Sequence, residues 1–298
     1  MTPARSVSAI VVVLVVVAAL VVTIAKPWRT SGGGRDDPHA STVKGGQLDR
    51  LLRATQAAAT SMPEADLVAR GRGLFRSSAV AKDGESCQSC HTEGKAATQL
   101  GTIVHPTDPG DFTGPRDPPS LIGVADTAPY RWTGNIATLQ EMVVDTIVNH
   151  FTAGASQPAA KTAEQAAALV AYLRTIKAPG TPFDLGTLSP PARRGERLFQ
   201  NKGGCIACHG GPLFTDNRLH NTLVPQAPGA NDPGAASPPH AFNTPEMRDL
   251  ANSAPYMHNG RFKTLREVVE FYNSQSSVSP LDLAPAEVSD LVAFLETL

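Results

Sequence analysis

Two stretches of the chain carry the same helical spacing of apolar residues. Ala166, Leu169, Val170 and Leu173 fall at i, i+3, i+4 and i+7, and Val288, Leu291, Val292 and Leu295 repeat that spacing near the C-terminus. Each set predicts a helix with one apolar face. Thr162-x-x-Gln165 reads as a capping box opening the first helix. Runs that alternate apolar and polar residues are essentially missing, and Pro and Gly crowd the connections. The fold class predicted is therefore all-α, a few helices joined by long loops.

The N-terminus breaks the amphipathic pattern. From Val7 to Ala25 the chain is Val, Ala, Leu, Ile and Thr with few interruptions and no charge. That is close to the ~20 apolar residues needed to cross a bilayer, and longer than the core of a cleavable signal. It predicts a retained transmembrane helix. Arg5 lies on one side of it and Lys26, Arg29 and Arg35 on the other, so flanking charge does not set its orientation. Residues 30–46, with Ser31, Gly32, Gly33, Gly34 and Asp36-Asp37-Pro38, bury nothing and read as a tether.

Beyond the tether the sequence repeats at an offset of roughly 120 residues. Arg70-Gly71-x-x-Leu74-Phe75 returns as Arg194-Gly195-x-x-Leu198-Phe199, and Cys87-x-x-Cys90-His91 as Cys205-x-x-Cys208-His209. Ala128-Pro129-Tyr130 with Gly134 and Thr138-Leu139 returns as Ala254-Pro255-Tyr256 with Gly260 and Thr264-Leu265. Leu169-Val170-Ala171-Tyr172-Leu173 returns as Leu291-Val292-Ala293-Phe294-Leu295. Four landmarks in one order predict two related domains, 62–180 and 181–298, behind an anchor at 1–29 and a tether with a short helix at 30–61. The Pro- and Gly-rich stretch from Pro179 to Pro191 joins them.

A formal net charge of -1, with no basic run, gives no electrostatic footing for nucleic acid. The chemistry lies in the cysteines. All four belong to the two C-x-x-C-H units. In that motif the thiols form thioethers with haem vinyl groups and the histidine gives iron its proximal imidazole. A zinc ribbon would set its cysteine pairs about 15–20 residues apart, and neither zinc nor a redox disulfide explains a histidine after both pairs. The reading is two haem c groups, held by Cys87, Cys90 and His91 and by Cys205, Cys208 and His209. Such haems are attached outside the cytoplasm, which places the N-terminus inside and both domains on the periplasmic or extracytoplasmic side.

After the second motif come Gly211-Pro212-Leu213-Phe214, Phe242-Asn243-Thr244-Pro245-Glu246-Met247-Arg248, Ala254-Pro255-Tyr256-Met257-His258-Asn259-Gly260 and Thr264-Leu265-Arg266-Glu267. This set resembles the C-terminal domain of the bacterial dihaem cytochrome c peroxidase and MauG family. The resemblance runs from about Leu67 to the end, closely in the second half and more loosely in the first. It implies two tandem cytochrome c-like domains, with a C-terminal haem that relays electrons and an N-terminal haem that reacts with peroxide.

For the second iron, a reading from ordinary cytochromes chooses Met257. The resemblance points to Tyr272, eight residues after Thr264, where the peroxidases carry methionine and MauG carries tyrosine. A phenolate lowers the iron potential; a thioether raises it. His258 resembles a polar residue near that haem. Around the first iron the resemblance puts Tyr130 where the family has Gln, and Gln140 where it has the catalytic Glu, with Glu141 one step on. An amide takes no proton from peroxide, and a step of one residue turns a helix by about 100°. His105 is a loop candidate for the sixth position, and His150 a weaker one. The tryptophan that the family places between its haems has no counterpart near Ser120.

The resemblance further implies a calcium ion between the domains, through carbonyls of the loop holding Ser253 and Pro255. It also implies an electron donor: a small c-type cytochrome, a cupredoxin or a membrane donor. Three functions follow from these readings: a peroxide-reducing dihaem oxidoreductase, a non-enzymatic dihaem electron carrier, or a MauG-like oxidase of a partner.

Overall fold

The computed structural model describes residues 45–80, 84–91, 114, 116–151, 157–235 and 237–298. All belong to one compact unit, Asp36–Leu298. The Val7–Ala25 run and His105 lie outside the described residues. No helix among the described residues is long and apolar enough to cross a membrane.

The chain is mostly helical, and its two halves use the same parts. In the first half α2 (Glu64–Arg76) packs on α5 (Ala159–Leu173); in the second α6 (Pro190–Gln200) packs on α8 (Pro285–Leu295). The Arg-Gly-x-x-Leu-Phe repeat explains both crossings. A Cβ on Gly71 would lie 2.0 Å from the Ala168 carbonyl oxygen, and one on Gly195 2.0 Å from that of Asp290. Only glycine lets the helices approach so closely. The preceding arginines reach across the same crossings, Arg70 to Glu164 at 3.0 Å and Arg194 to Asp290 at 2.6 Å. One turn on, Phe75 meets Tyr172 and Phe199 meets Phe294, each with ring centroids 5.3 Å apart. Each ring buried this way contributes on the order of 2 kcal/mol.

Ahead of these, α1 (Gly45–Thr60) lies against α5 and gives Leu51 to the first core, so this helix is part of the domain. The helices after the repeated Ala-Pro-Tyr loops, α4 (Leu139–Asp145) and α7 (Leu265–Ser274), begin alike. The Thr138 and Thr264 hydroxyls accept the backbone N–H of Glu141 and Glu267, at 3.1 and 3.2 Å. They end differently: α4 widens into a π-helical turn, Thr146–Phe151, whereas α7 stays regular.

The predicted apolar face of α5 is buried, as are Val288, Leu291 and Leu295 of α8, while Val292 is partly buried. The predicted capping box is a correction. Helix α5 starts at Ala159 after Pro158, so Thr162 and Gln165 are buried inside it. Both accept from the Gln157 side chain, at 3.0 and 2.7 Å. The Ala-rich start has enough helix propensity to begin the helix one turn earlier.

A two-stranded ribbon, β1 (Leu219–His220) with β2 (Phe242–Asn243), lies in the second half. From its end the halves are tied by two matched bonds. Asp117 N–H donates to the His258 carbonyl at 2.8 Å, and Asn243 N–H to the Trp132 carbonyl at 2.7 Å. Asp117 and Asn243 are equivalent in the repeat, so this junction carries an approximate two-fold relation.

Candidate functional site

The first motif folds as a single helical turn, α3 (Cys87–Cys90). It is opened by Ser86, whose backbone N–H donates to the Ser89 hydroxyl at 3.0 Å. His91 follows with its N–H on the Cys87 carbonyl at 2.9 Å. Its ring is hydrogen-bonded to the Pro119 carbonyl, and burial pulls it down to about 4. It is therefore a neutral imidazole near pH 7, the form that binds metal. Cys87, Cys90 and His91 line a cavity of about 320 Å³ with apolar walls that include Phe75, Leu139 and Leu173. The second half closes one side with Asn243, Thr244, Pro245 and Glu246.

The second motif turns through Cys205–Ala207, and His209 N–H reaches the Cys205 carbonyl at 2.8 Å. His209 Nδ1 is 2.9 Å from the Phe214 carbonyl. That bond fixes the proton on Nδ1 and leaves Nε2 free for iron. Phe214 is itself wedged between Phe183 and Phe199. Burial pushes the Cys87 thiol up to about 12 and the Cys205 thiol up to about 11.

Tyr272 lies on α7. Burial pushes its hydroxyl up to about 12, a bond with the Thr222 side chain works the other way, and the field of Cys205 and Cys208 adds to the rise. The hydroxyl is therefore near the second motif. A phenol so held stays protonated unless a cation sits beside it, and a ferric iron is such a cation. Met257 is in a left-handed turn, φ 71°, where its carbonyl accepts from Gly260 at 3.1 Å. Aligned on the two capping threonines, the first-half counterpart of Tyr272 is Thr146. It lines the first cavity, and its hydroxyl already donates to the Met142 carbonyl at 2.8 Å.

The other distal candidates separate. Tyr130 is buried and lines the cavity, with its hydroxyl pushed up by burial. Gln140 donates its amide to the Leu52 carbonyl of α1 at 2.7 Å and holds two helices together. Glu141 is partly buried in the field of Asp145 and Arg131, and burial raises its carboxyl. Neither Gln140 nor Glu141 is among the cavity-lining residues. Arg131, which does line it, is ion-paired with the fully buried Asp145. The side chain of His150 lies outside the described residues. His258 is buried against Phe242 with Nε2 unpartnered.

Sequence reasoning missed the junction residues. Arg116 lines the first cavity and grips buried Asp232 of the second half with two bonds, 2.7 and 2.6 Å. Glu246 is nine-tenths buried with Oε1 unpartnered, and the Ser120 side chain reaches its carboxylate. In the repeat register Glu246 is the counterpart of Ser120, a signal that aligning the two halves residue by residue would have given.

The residues fit haem c. Each C-x-x-C-H unit has a neutral histidine oriented by a backbone carbonyl. The first opens on a largely apolar cavity lined also by Asn243 and Glu246, each of which keeps a buried acceptor, Oδ1 and Oε1, without a partner. Known proteins agree. A sequence profile described as di-haem cytochrome c peroxidase matches residues 65–172. Cytochrome-c peroxidase IdrP1 of Denitromonas iodatirespirans is 30% identical over 313 residues, covering 78% of this chain and 81% of that protein. Methylamine utilization protein MauG of Methylorubrum extorquens is 29% identical, covering 78% and 77%. Among solved structures, a MauG-like protein associated with microbial copper homeostasis aligns with TM-score 0.65 at 24% identity, over 78% of this chain and 88% of that one. The diheme peroxidase BthA from Burkholderia thailandensis aligns with TM-score 0.62 at 22% identity, over 80% and 86%. With the repeated haem motifs and the identity to IdrP1 spanning most of both chains, this chain belongs to the dihaem cytochrome c peroxidase and MauG family of oxidoreductases.

Proposed function

We propose that the protein reduces hydrogen peroxide at the first site with electrons that enter at the second. The observation carrying this is the contrast between Tyr272 and Thr146. At one position of one repeated helix, the second half offers Tyr272, a phenol that would be a ligand for a haem iron held by His209. The first half offers a short hydroxyl already engaged with Met142. One site is then closed and suited to electron transfer, and the other open to a small oxidant.

Haem c bound by Cys87, Cys90 and His91 would supply an iron that accepts electrons and takes up the oxidant. The protein's own part is positional. His91 is held neutral and aimed by the Pro119 carbonyl, and the cavity walls are largely apolar. The reaction takes one peroxide, two electrons and two protons to two waters. Tyr130 is the hydroxyl in the cavity nearest in kind to a proton donor. Glu141, raised by burial, is a proton reserve on the far side of α4. The reductant proposed is a small c-type cytochrome or cupredoxin, met on the extracytoplasmic side, where the Val7–Ala25 span would tether the chain.

A second reading, a MauG-like oxidase of a protein partner, is favoured by the Tyr272 phenol itself, which suits retention of oxidising equivalents better than relay. Steady-state oxidation of reduced small cytochrome c by peroxide tests the first reading. Turnover dependent on both supports it. Rapid reaction of the haem with peroxide without turnover of any small donor replaces it by the second.

A further inference from the structure

Glu246 is a buried carboxyl for which neither peroxide chemistry nor haem attachment has a use. Its Oε2 accepts the Arg248 N–H at 2.5 Å, Oε1 is buried without a partner, and the residue is among those lining the first cavity. It comes from the second half but serves the first site. Its neighbour across the junction, Ser120, directly follows Pro119, whose carbonyl holds the His91 ring. The carboxyl is thereby linked through Ser120 to the segment that holds the His91 ring. It is placed to answer the charge of the iron rather than to touch an oxidant.

The charged groups that share its surroundings are Arg248 and Asp249 on its own segment and Arg116, Asp117 and Arg131 of the first half, the last ion-paired with Asp145. On its own segment Arg248 is committed to Asp184 and lies over the Phe183 and Phe214 rings, and Asp249 opposes ionisation. Across the cavity Arg116 is committed to Asp232. Burial raises the carboxyl to about 7, with the Ser120 and Arg248 bonds working against the rise. Such a group is poised between its two states near neutral pH. With haem bound at His91, reduction of its iron would remove one positive charge, the ionised Glu246 would lose a stabilising partner, and its proton affinity would rise.

We propose that Glu246 is the redox-linked proton acceptor of the first site. One electron arriving from the small donor protein through the second haem is matched by one proton taken from solvent onto the Glu246 carboxylate, and that proton leaves when the electron does. No other bond is made or broken. Glu246 is thus a positioning residue acting through charge, and the test reads potential rather than turnover.

In the full-length holoprotein, the midpoint potential of the first haem is followed spectroscopically between about pH 6 and about pH 8. A tenfold fall in proton concentration should lower it by about 59 mV at the steepest part. E246Q, a neutral mimic of the protonated form, should hold the potential near its acid-limb value with little slope. S120A, which removes a bond to the ionised form, should move the sloping region to higher pH. In the wild-type protein alone, reduced-minus-oxidised infrared difference spectra should show a protonated-carboxyl band that shifts in D2O. An E246Q slope equal to wild type, or no such band in wild type, overturns the proposal. The proposal needs haem at the first site but not peroxide turnover. A flat potential in a protein that still reduces peroxide would sink it and leave the peroxidase reading standing.

Discussion

Trp132 and His258 hold equivalent positions in the two halves and meet edge to face at the junction, ring centroids 6.4 Å apart and planes at 73°. Their backbone carbonyls accept the matched bonds from Asn243 and Asp117, and Phe242 stacks on His258 at 3.6 Å. Trp132 Nε1 also donates to the Asp117 carbonyl at 2.6 Å and the ring lines the first cavity. A tryptophan therefore does stand beside the segment containing Ser120, brought there by the fold from the following loop.

That packing makes His258 a buried neutral imidazole, lowered to about 4 by loss of solvent, with Asp232 opposing and Arg116 reinforcing the shift. Its folded value lies below the unfolded one of 6.5, so the unfolded chain binds more protons between the two, and stability falls as pH drops through that window. H258F keeps the stack and removes the titration. Urea denaturation should show wild type losing about 1.5 kcal/mol more than H258F between pH 6.5 and pH 5. Parallel losses would contradict the buried, neutral assignment.

The helix crossings are tested by Gly71→Ala and Gly195→Ala. With carbonyl oxygens 2.0 Å from the added carbon, the helices must separate. Each variant should lose about 3 kcal/mol or more in chemical denaturation, well above the ordinary cost of a surface substitution. Gly73→Ala on the same helix, where nothing lies within 4 Å, serves as the control and should be neutral or slightly stabilising.

Tyr272→Phe should change the absorption spectrum of the second haem and leave that of the first largely intact, because removing a donor atom opens the iron or recruits water. Met257→Ala should alter only packing in its loop. Loss of a sulfur-to-iron band in the Met257 variant beside a native spectrum in the Tyr272 variant would reverse the assignment.

What the sequence yields here follows the range of the physics. The haem motifs are legible because two thiols and an imidazole must lie within five residues. The faces of α5 and α8 follow from periodicity, and Tyr272 is reached by counting along a helix whose start Thr264 fixes. The start of α5 is not legible, because Thr162 and Gln165 have capping chemistry, yet an alanine-rich turn ahead of them forms helix anyway. Arg116 with Asp232 and Ser120 with Glu246 join residues far apart in sequence, and no local pattern announces them. Thr146 was legible in principle, as the position of Tyr272 carried back through the repeat, but a threonine attracts no notice until its partner is known to face a haem.

The central claim is that Thr146 leaves the first site open while Tyr272 closes the second. Electron paramagnetic resonance of the resting ferric holoprotein tests it most directly. The resting protein should show one high-spin signal, from the first haem, that vanishes on adding a small anionic ligand such as cyanide, beside a second haem that ignores it. Two low-spin signals, both indifferent to the ligand, would contradict the account and make the protein an electron carrier with both irons closed.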